Sequence, residues 1–194
     1  MRASHMRRII VLLLLLVSLV MGCHRKAADA FTADIVMDAH VPGAPRLTGK
    51  LYLGDGHLRA DWGNVADVFD LRQRKGWRIL LPAAKTYMDL GSKDLSTYAP
   101  EMTNGSPCPH AEVPSACKMV GKEKIDGRMA NKWDLWNPRG FHVYFWTDEA
   151  LEVTLRSEIG DAIYEVKNLR GSPVSHAMFE LPAGCERLER PWKP

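Results

Sequence analysis

The sequence predicts a mainly β protein: a single strongly curved antiparallel sheet, rolled into an unclosed barrel of about eleven strands, with little helix beyond an N-terminal leader. Three observations predict it. Phe31, Ala33, Ile35 and Met37 alternate with Thr32, Asp34, Val36 and Asp38, a period of two, and similar short segments recur to the end of the chain. Polar turns of a few residues separate these segments, which makes sequential neighbours antiparallel. No stretch of ten residues carries an apolar stripe at helical spacing.

The leader comes first. Arg7 and Arg8 precede thirteen residues, Ile9 to Met21, interrupted only by Ser18. A membrane-spanning helix needs about 20 apolar residues, whereas the apolar core of a secretory signal is shorter. Val20-Met21-Gly22-Cys23 resembles the lipobox of bacterial lipoproteins, with Val where Leu is commoner. The resemblance implies cutting before Cys23 and a diacylglycerol on its sulfur. Ala28-Asp29-Ala30 offers a second, ordinary cleavage form behind His24, Arg25 and Lys26. The lipobox reading divides the chain into a signal peptide at 1–22, a tether at 23–30 and a β domain at 31–190.

The strands follow in order. LTGKLYL and HLRADW flank Gly54-Asp55-Gly56, and a D-G step between alternating segments signals a hairpin. Leu47, Leu51 and Leu53 share one face, opposite Leu58, Ala60 and Trp62. VADVFDL, the turn RQRKG, WRILLP, the turn AAK and TYMDL come next. Residues 91–116 break the pattern: Lys93 to Tyr98 fits one helical turn, and Pro100, Pro107, Pro109 and Pro114 prevent long regular structure. The strands then resume as CKMVGKEKI, MANKWDLW, FHVYFW, LEVTLRSEI and AIYEVKNLR. A flat sheet this wide would twist and leave edges, so it must curl.

Charge and cysteines narrow the function. Residues 1–22 hold Arg2, Arg7 and Arg8 and no acid, so the formal charge of +3 belongs to the leader and the remainder balances to zero. That argues against a nucleic-acid partner, which would need a basic surplus. An exported chain can form disulfides, and Cys108 with Cys117 would close the ten-residue loop CPHAEVPSAC. Cys185 leaves three pairings open. Cys108, His110 and Cys117 match no common zinc spacing, so no metal is expected.

The order of segments resembles the LolA/LolB-like superfamily and its DUF4412-type relatives. GKLYLGDGHLRADW and VFDLRQRKGWRILLPAAKTYMDL correspond to the front half, and GKEKIDGRMANKWDLW to a later strand pair through Gly121, Gly127, Lys132 and Trp133. Trp146, Asp148 and Arg156 continue the match, and Phe179, Pro182 and Gly184 close it, with Cys185 where the family has Tyr. The resemblance covers about residues 31–188 and implies an unclosed barrel whose apolar concave face holds acyl chains or a helical lid. LolA fills its barrel with helices, which this sequence almost lacks.

No catalytic motif is present: there is no G-x-S-x-G, H-E-x-x-H, phosphate loop or dinucleotide fingerprint. Asp55, Asp61, Asp67 and Asp70 read as turn formers and solvent-face residues. The expectation is a non-enzymatic envelope lipoprotein without a cofactor, held by lipid on Cys23 in the outer membrane and facing the periplasm. Leu51, Leu53, Trp62, Trp77, Ile79, Trp133 and Leu135 are the candidates for lining an apolar site for a lipid or a lipoprotein acyl chain. The competing reading is a packed barrel that docks another envelope protein through a strand edge or the 91–116 loop.

Overall fold

The computed structural model describes residues 30–41, 43–80, 85–99, 107–108, 117–136 and 140–189. Eleven strands coincide with the eleven predicted segments: β1 (Phe31–Ala39), β2 (Leu47–Gly54), β3 (His57–Trp62), β4 (Val65–Asp70), β5 (Lys75–Leu80), β6 (Thr86–Leu90), β7 (Cys117–Ile125), β8 (Arg128–Trp136), β9 (His142–Asp148), β10 (Thr154–Ile159) and β11 (Ala162–Gly171). A twelfth, β12 (Glu186–Arg187), is two residues long. One four-residue helix, α1 (Ser92–Leu95), and one 3-10 turn, His176–Phe179, complete the elements. Among the described residues no helix is long and apolar enough to cross a membrane.

All twelve strands form one sheet in the order β12-β6-β5-β4-β3-β2-β1-β11-β10-β9-β8-β7. Every pairing is antiparallel except β12 on β6. β7 and β12 are the outer strands, so the sheet is strongly curved but unclosed.

The turns follow from residue chemistry. Asp55 and Gly56 both have positive φ, 51° and 76°, the backbone that a two-residue hairpin turn requires. Asp126 and Gly127 repeat the device between β7 and β8, at 46° and 86°. Two glycines are needed for close approach instead. A Cβ on Gly49 would lie 2.1 Å from the Asp61 carbonyl oxygen, and one on Gly76 would lie 2.0 Å from that of Val68. Register shifts at Thr32/Asp34, Met119/Gly121 and Thr154/Arg156 mark bulges, which bend and coil the strands they interrupt.

One predicted strand is shortened. LEVTLRSEI was expected to pair from Leu151, but β10 begins at Thr154. The Asp148 carboxylate accepts the backbone N–H groups of Ala150 and Leu151, both at 2.9 Å, and turns the chain there. Burial alone would raise this carboxyl, yet the Arg128 guanidinium and those two N–H groups outweigh it and hold the pKa below the usual carboxylate value.

On β8–β10, aromatic rings and cations pair across strands. The His142 ring stacks on Trp136 and Tyr144 at 6.0 and 5.9 Å, and Lys132 and Arg156 lie over Trp146 at 4.6 and 5.2 Å. Each such pair adds a fraction of a kcal/mol, roughly 0.2–1, to the sheet. Cys108 and Cys117 form a disulfide with Cα atoms 5.4 Å apart, the first of the three open pairings. It ties the segment before β7 to the start of that outer strand, and Cys185 lies outside it, just before β12.

Candidate functional site

Register assigns the residues to two faces. Phe31, Ala33, Ile35 and Met37 of β1 stand opposite Leu53, Leu51, Gly49 and Leu47 of β2. The same face continues through Leu58, Ala60 and Trp62 of β3 to Phe69, Asp67 and Val65 of β4. In the other direction it runs through Tyr164 of β11, Ser157 of β10, Phe145 of β9 and Trp133 of β8. This is the concave face. Its buried apolar side chains on β1–β4 and β11 belong to the larger core, together with Leu95, Tyr98 and Ala99 from outside the sheet, whereas Phe145 and Trp133 lie outside that cluster.

Those three residues belong to a short plug. After β6 the chain makes α1, then a turn through Ala99, and Leu95 and Tyr98 are buried against the sheet. The Asp94 carboxylate accepts the Gly91 N–H at 2.8 Å and fixes the helical turn. The Thr154 N–H donates to the Tyr98 carbonyl at 2.8 Å, and the Arg74 guanidinium to that of Ala99 at 3.1 Å. The Tyr98 ring sits 6.0 Å from both Phe69 and Tyr164. One helical turn and the residues after it thus fill part of the concavity.

A polar latch holds the plug from below. Asp67, 1% exposed, accepts two hydrogen bonds from the Arg78 guanidinium, at 2.6 and 2.8 Å. Its Oδ2 also accepts from the Tyr98 hydroxyl at 3.1 Å, which in turn accepts from Trp62 Nε1 at 2.7 Å. The hydrogen bond to Asp67 raises the Arg78 pKa. Burial, then the Asp67 charge, pushes the Tyr98 phenol far above its ordinary value, so it stays a neutral donor. The expectation that Asp67 faces solvent is therefore overturned. Asp67 lies two residues from Phe69 on the inward side of β4, and Arg78 stands directly across on β5.

Deeper in the concave face Tyr164 is fully buried, and burial raises its phenol well above the ordinary value. Its hydroxyl has no hydrogen-bond partner among the described residues. An unsatisfied buried hydroxyl costs about 1–3 kcal/mol. Among the described residues, Tyr98 of the plug meets Tyr164 and Trp62. Beyond them, at the barrel end away from Ala30, Leu47 and Ile159 remain 48% and 46% exposed, with Val41 nearby in sequence at 52%.

The convex face has its own small core. Ala66, Val68 and Ile79 pack with Phe179, and Tyr52, Trp77, Val174 and Leu181 border them. The 3-10 turn carries Phe179 onto β3, where it stacks on His57 at 5.5 Å, and Arg59 donates to the Met178 carbonyl at 2.8 Å.

Five of the seven predicted lining residues share the concave face. Leu51 and Leu53 are buried there, and Trp62 is half-buried beside Tyr164. Trp133 and Leu135 follow by register from Phe145 and Val143, and Trp133 Nε1 donates to the buried Thr147 hydroxyl at 3.0 Å. Trp77 and Ile79 do not join them. They stand opposite Val68 and Ala66, on the face covered by Phe179. Cys23 lies outside the described residues. Among those residues no group of three or more His, Cys, Asp or Glu side chains could hold a metal ion.

Asp67, Arg78, Tyr98 and Tyr164 were missed as site residues. A usable signal existed for the first two: Asp67 and Arg78 are equally spaced from the turn that pairs Asp70 with Lys75.

No family model and no curated protein sequence matches this chain. Solved structures do. An uncharacterized conserved protein from Thermus thermophilus matches with a TM-score of 0.52 at 12% identity, over 89% of this chain and 98% of its own. That match decides the architecture. The fold recurs in a known structure. PNGF-II matches with a TM-score of 0.53 at 8% identity, over 84% of this chain, which spans only 32% of that one. LolA superfamily proteins are also among the neighbours, including one from Nitrosomonas europaea with a TM-score of 0.37 at 10% identity, over 80% and 92% of the two chains. At such identities these likenesses are likenesses of fold alone.

Proposed function

We propose that this chain is a cell-envelope lipoprotein, anchored by lipid on Cys23 and processed after residue 22, that holds an apolar ligand such as a lipid or acyl chain on its concave face. The observation that carries the reading is the partial filling of that face. The plug covers the part around Phe69, Tyr98 and Tyr164, while Leu47 and Ile159 stay half-exposed at the opposite end. Exposed apolar surface is unfavourable in water, and an acyl chain laid along it gains about 25 cal/mol per Å² covered. The Tyr164 hydroxyl, buried and without a partner among the described residues, stands two strands from Leu47 across Met37. Nothing in this function requires chemistry on the ligand.

Gentle purification of the protein, followed by native mass spectrometry and lipid extraction, tests the reading. A stoichiometric lipid, lost when Leu47 and Ile159 are both replaced by Lys, is the expected result. A lipid-free chain that also fails to bind an environment-sensitive apolar dye favours the packed interaction module instead.

A further inference from the structure

Chain topology gathers one end of the barrel around the point where the tether enters. β1 starts at Phe31, opposite Leu53 and Gly171, and the Ser172 N–H donates to the Ala30 carbonyl at 2.9 Å. The β4–β5 turn lies at this same end, because the Leu71 N–H donates to the Gly56 carbonyl at 2.9 Å. Gly76 pairs with Leu90, which brings the end of β6 and α1 there too.

A cleft of about 960 Å³ opens between that turn and α1. Lys75 and Lys93, both exposed, line it with Trp77, Gln73 and Ser92. Two acids line it as well: Asp89 pairs with Arg187, and Asp94 accepts the N–H of Gly91, another lining residue, at 2.8 Å. Neither lysine forms an ion pair among the described residues. The Trp77 N–H is buried and has no acceptor among the described residues. The cleft therefore offers two ammonium groups, unpaired among the described residues, beside two partnered carboxylates and an indole, and these ammonium groups suit an anion at a membrane interface, where Trp and Lys both partition well.

We propose that this cleft seats the phosphate of an anionic phospholipid headgroup, so that the barrel stands with its tether end against the bilayer. The proposal rests on the membrane-tethered reading above. A tether of seven residues between Cys23 and Phe31 reaches at most about 25 Å, which keeps the cleft within range of the surface. Residues 23–194 carry no net formal charge, so attraction has to come from a local site such as this one. The same orientation turns the exposed Leu47 and Ile159 away from the bilayer, toward other envelope components.

Amine-reactive labelling of the full chain in vesicles tests this, read lysine by lysine by mass spectrometry. The vesicles are phosphatidylcholine alone or its equimolar mixture with phosphatidylglycerol. The expected result is about fivefold protection of Lys75 and Lys93 in the mixed vesicles only, with Lys118 at the far end labelled equally in both. Equal labelling of Lys75 and Lys93 in the two vesicles overturns the proposal. So does equal protection by soluble glycerol phosphate in phosphatidylcholine alone, which would mark a site for a free phosphate. The Cys23 peptide in the same digest separates the two claims. An unmodified thiol with protection retained removes the lipid tether and leaves the cleft, whereas a modified thiol without protection removes the cleft alone.

Discussion

Replacing Asp67 with Ala is expected to destabilise the domain by about 3 kcal/mol and to lower its melting temperature by about 5–10 °C. Asp67 is buried and accepts from Arg78 twice and from Tyr98 once, so its loss strips three charge-assisted bonds at a stroke. Removing one partner of a buried pair typically costs 3–5 kcal/mol, about 3 here because the Arg78 side chain is 39% exposed and can be rehydrated. The Tyr98 hydroxyl loses its acceptor while remaining buried, which releases the plug. Hydrogen exchange at residues 95–99 should accelerate more than exchange in β8 or β9. A variant with unchanged exchange in the plug would show that Asp67 supports β4 and β5 only.

Replacing Cys23 with Ser is expected to have the larger effect on location. Without the thiol no diacylglycerol can be attached, and processing before residue 23 should stop, so mass spectrometry reads a chain retaining residues 1–22. In the unaltered protein the N-terminal peptide should begin at Cys23 and carry the lipid mass. Each buried methylene contributes about 0.8 kcal/mol, one chain alone binds marginally, and two or more make the attachment long-lived. A natural N-terminus at Phe31, released from the membrane, would show that Ala28-Asp29-Ala30 is the site of cutting and would end the lipoprotein reading.

The contrast between these two variants reflects how differently the sequence expresses location and site. The leader is proposed because charge, apolar length and Cys23 follow one another in order. The strands are legible because β1, β2 and β3 alternate cleanly and Asp55-Gly56 and Asp126-Gly127 demand positive φ. Where both faces of a strand are covered, alternation disappears. β4, VADVFD, is buried at four consecutive positions, since the concave core takes Asp67 and Phe69 and the Phe179 segment covers Ala66 and Val68. The side on which Trp77 and Ile79 fall could then be read only from register across the β4–β5 turn. Asp67 is hard to place for a related reason: an acid within a strand reads as solvent-facing until its cation is found, and Arg78 lies eleven residues away. The plug was half-visible, since the helical turn expected at Lys93 to Tyr98 lies at Ser92–Leu95, but nothing local shows that Leu95 and Tyr98 turn into the barrel.

The central claim is that an apolar chain lies along the concave face. Cross-linking with a fatty acid carrying a photoreactive group at its tail, mapped by mass spectrometry, tests it most directly. The account predicts adducts on Leu47, Ile159, Trp62 and Trp133, reduced by excess unlabelled fatty acid, and none on Trp77 or Ile79. Adducts confined to the convex face around Trp77, or no competable adduct at all, would contradict it.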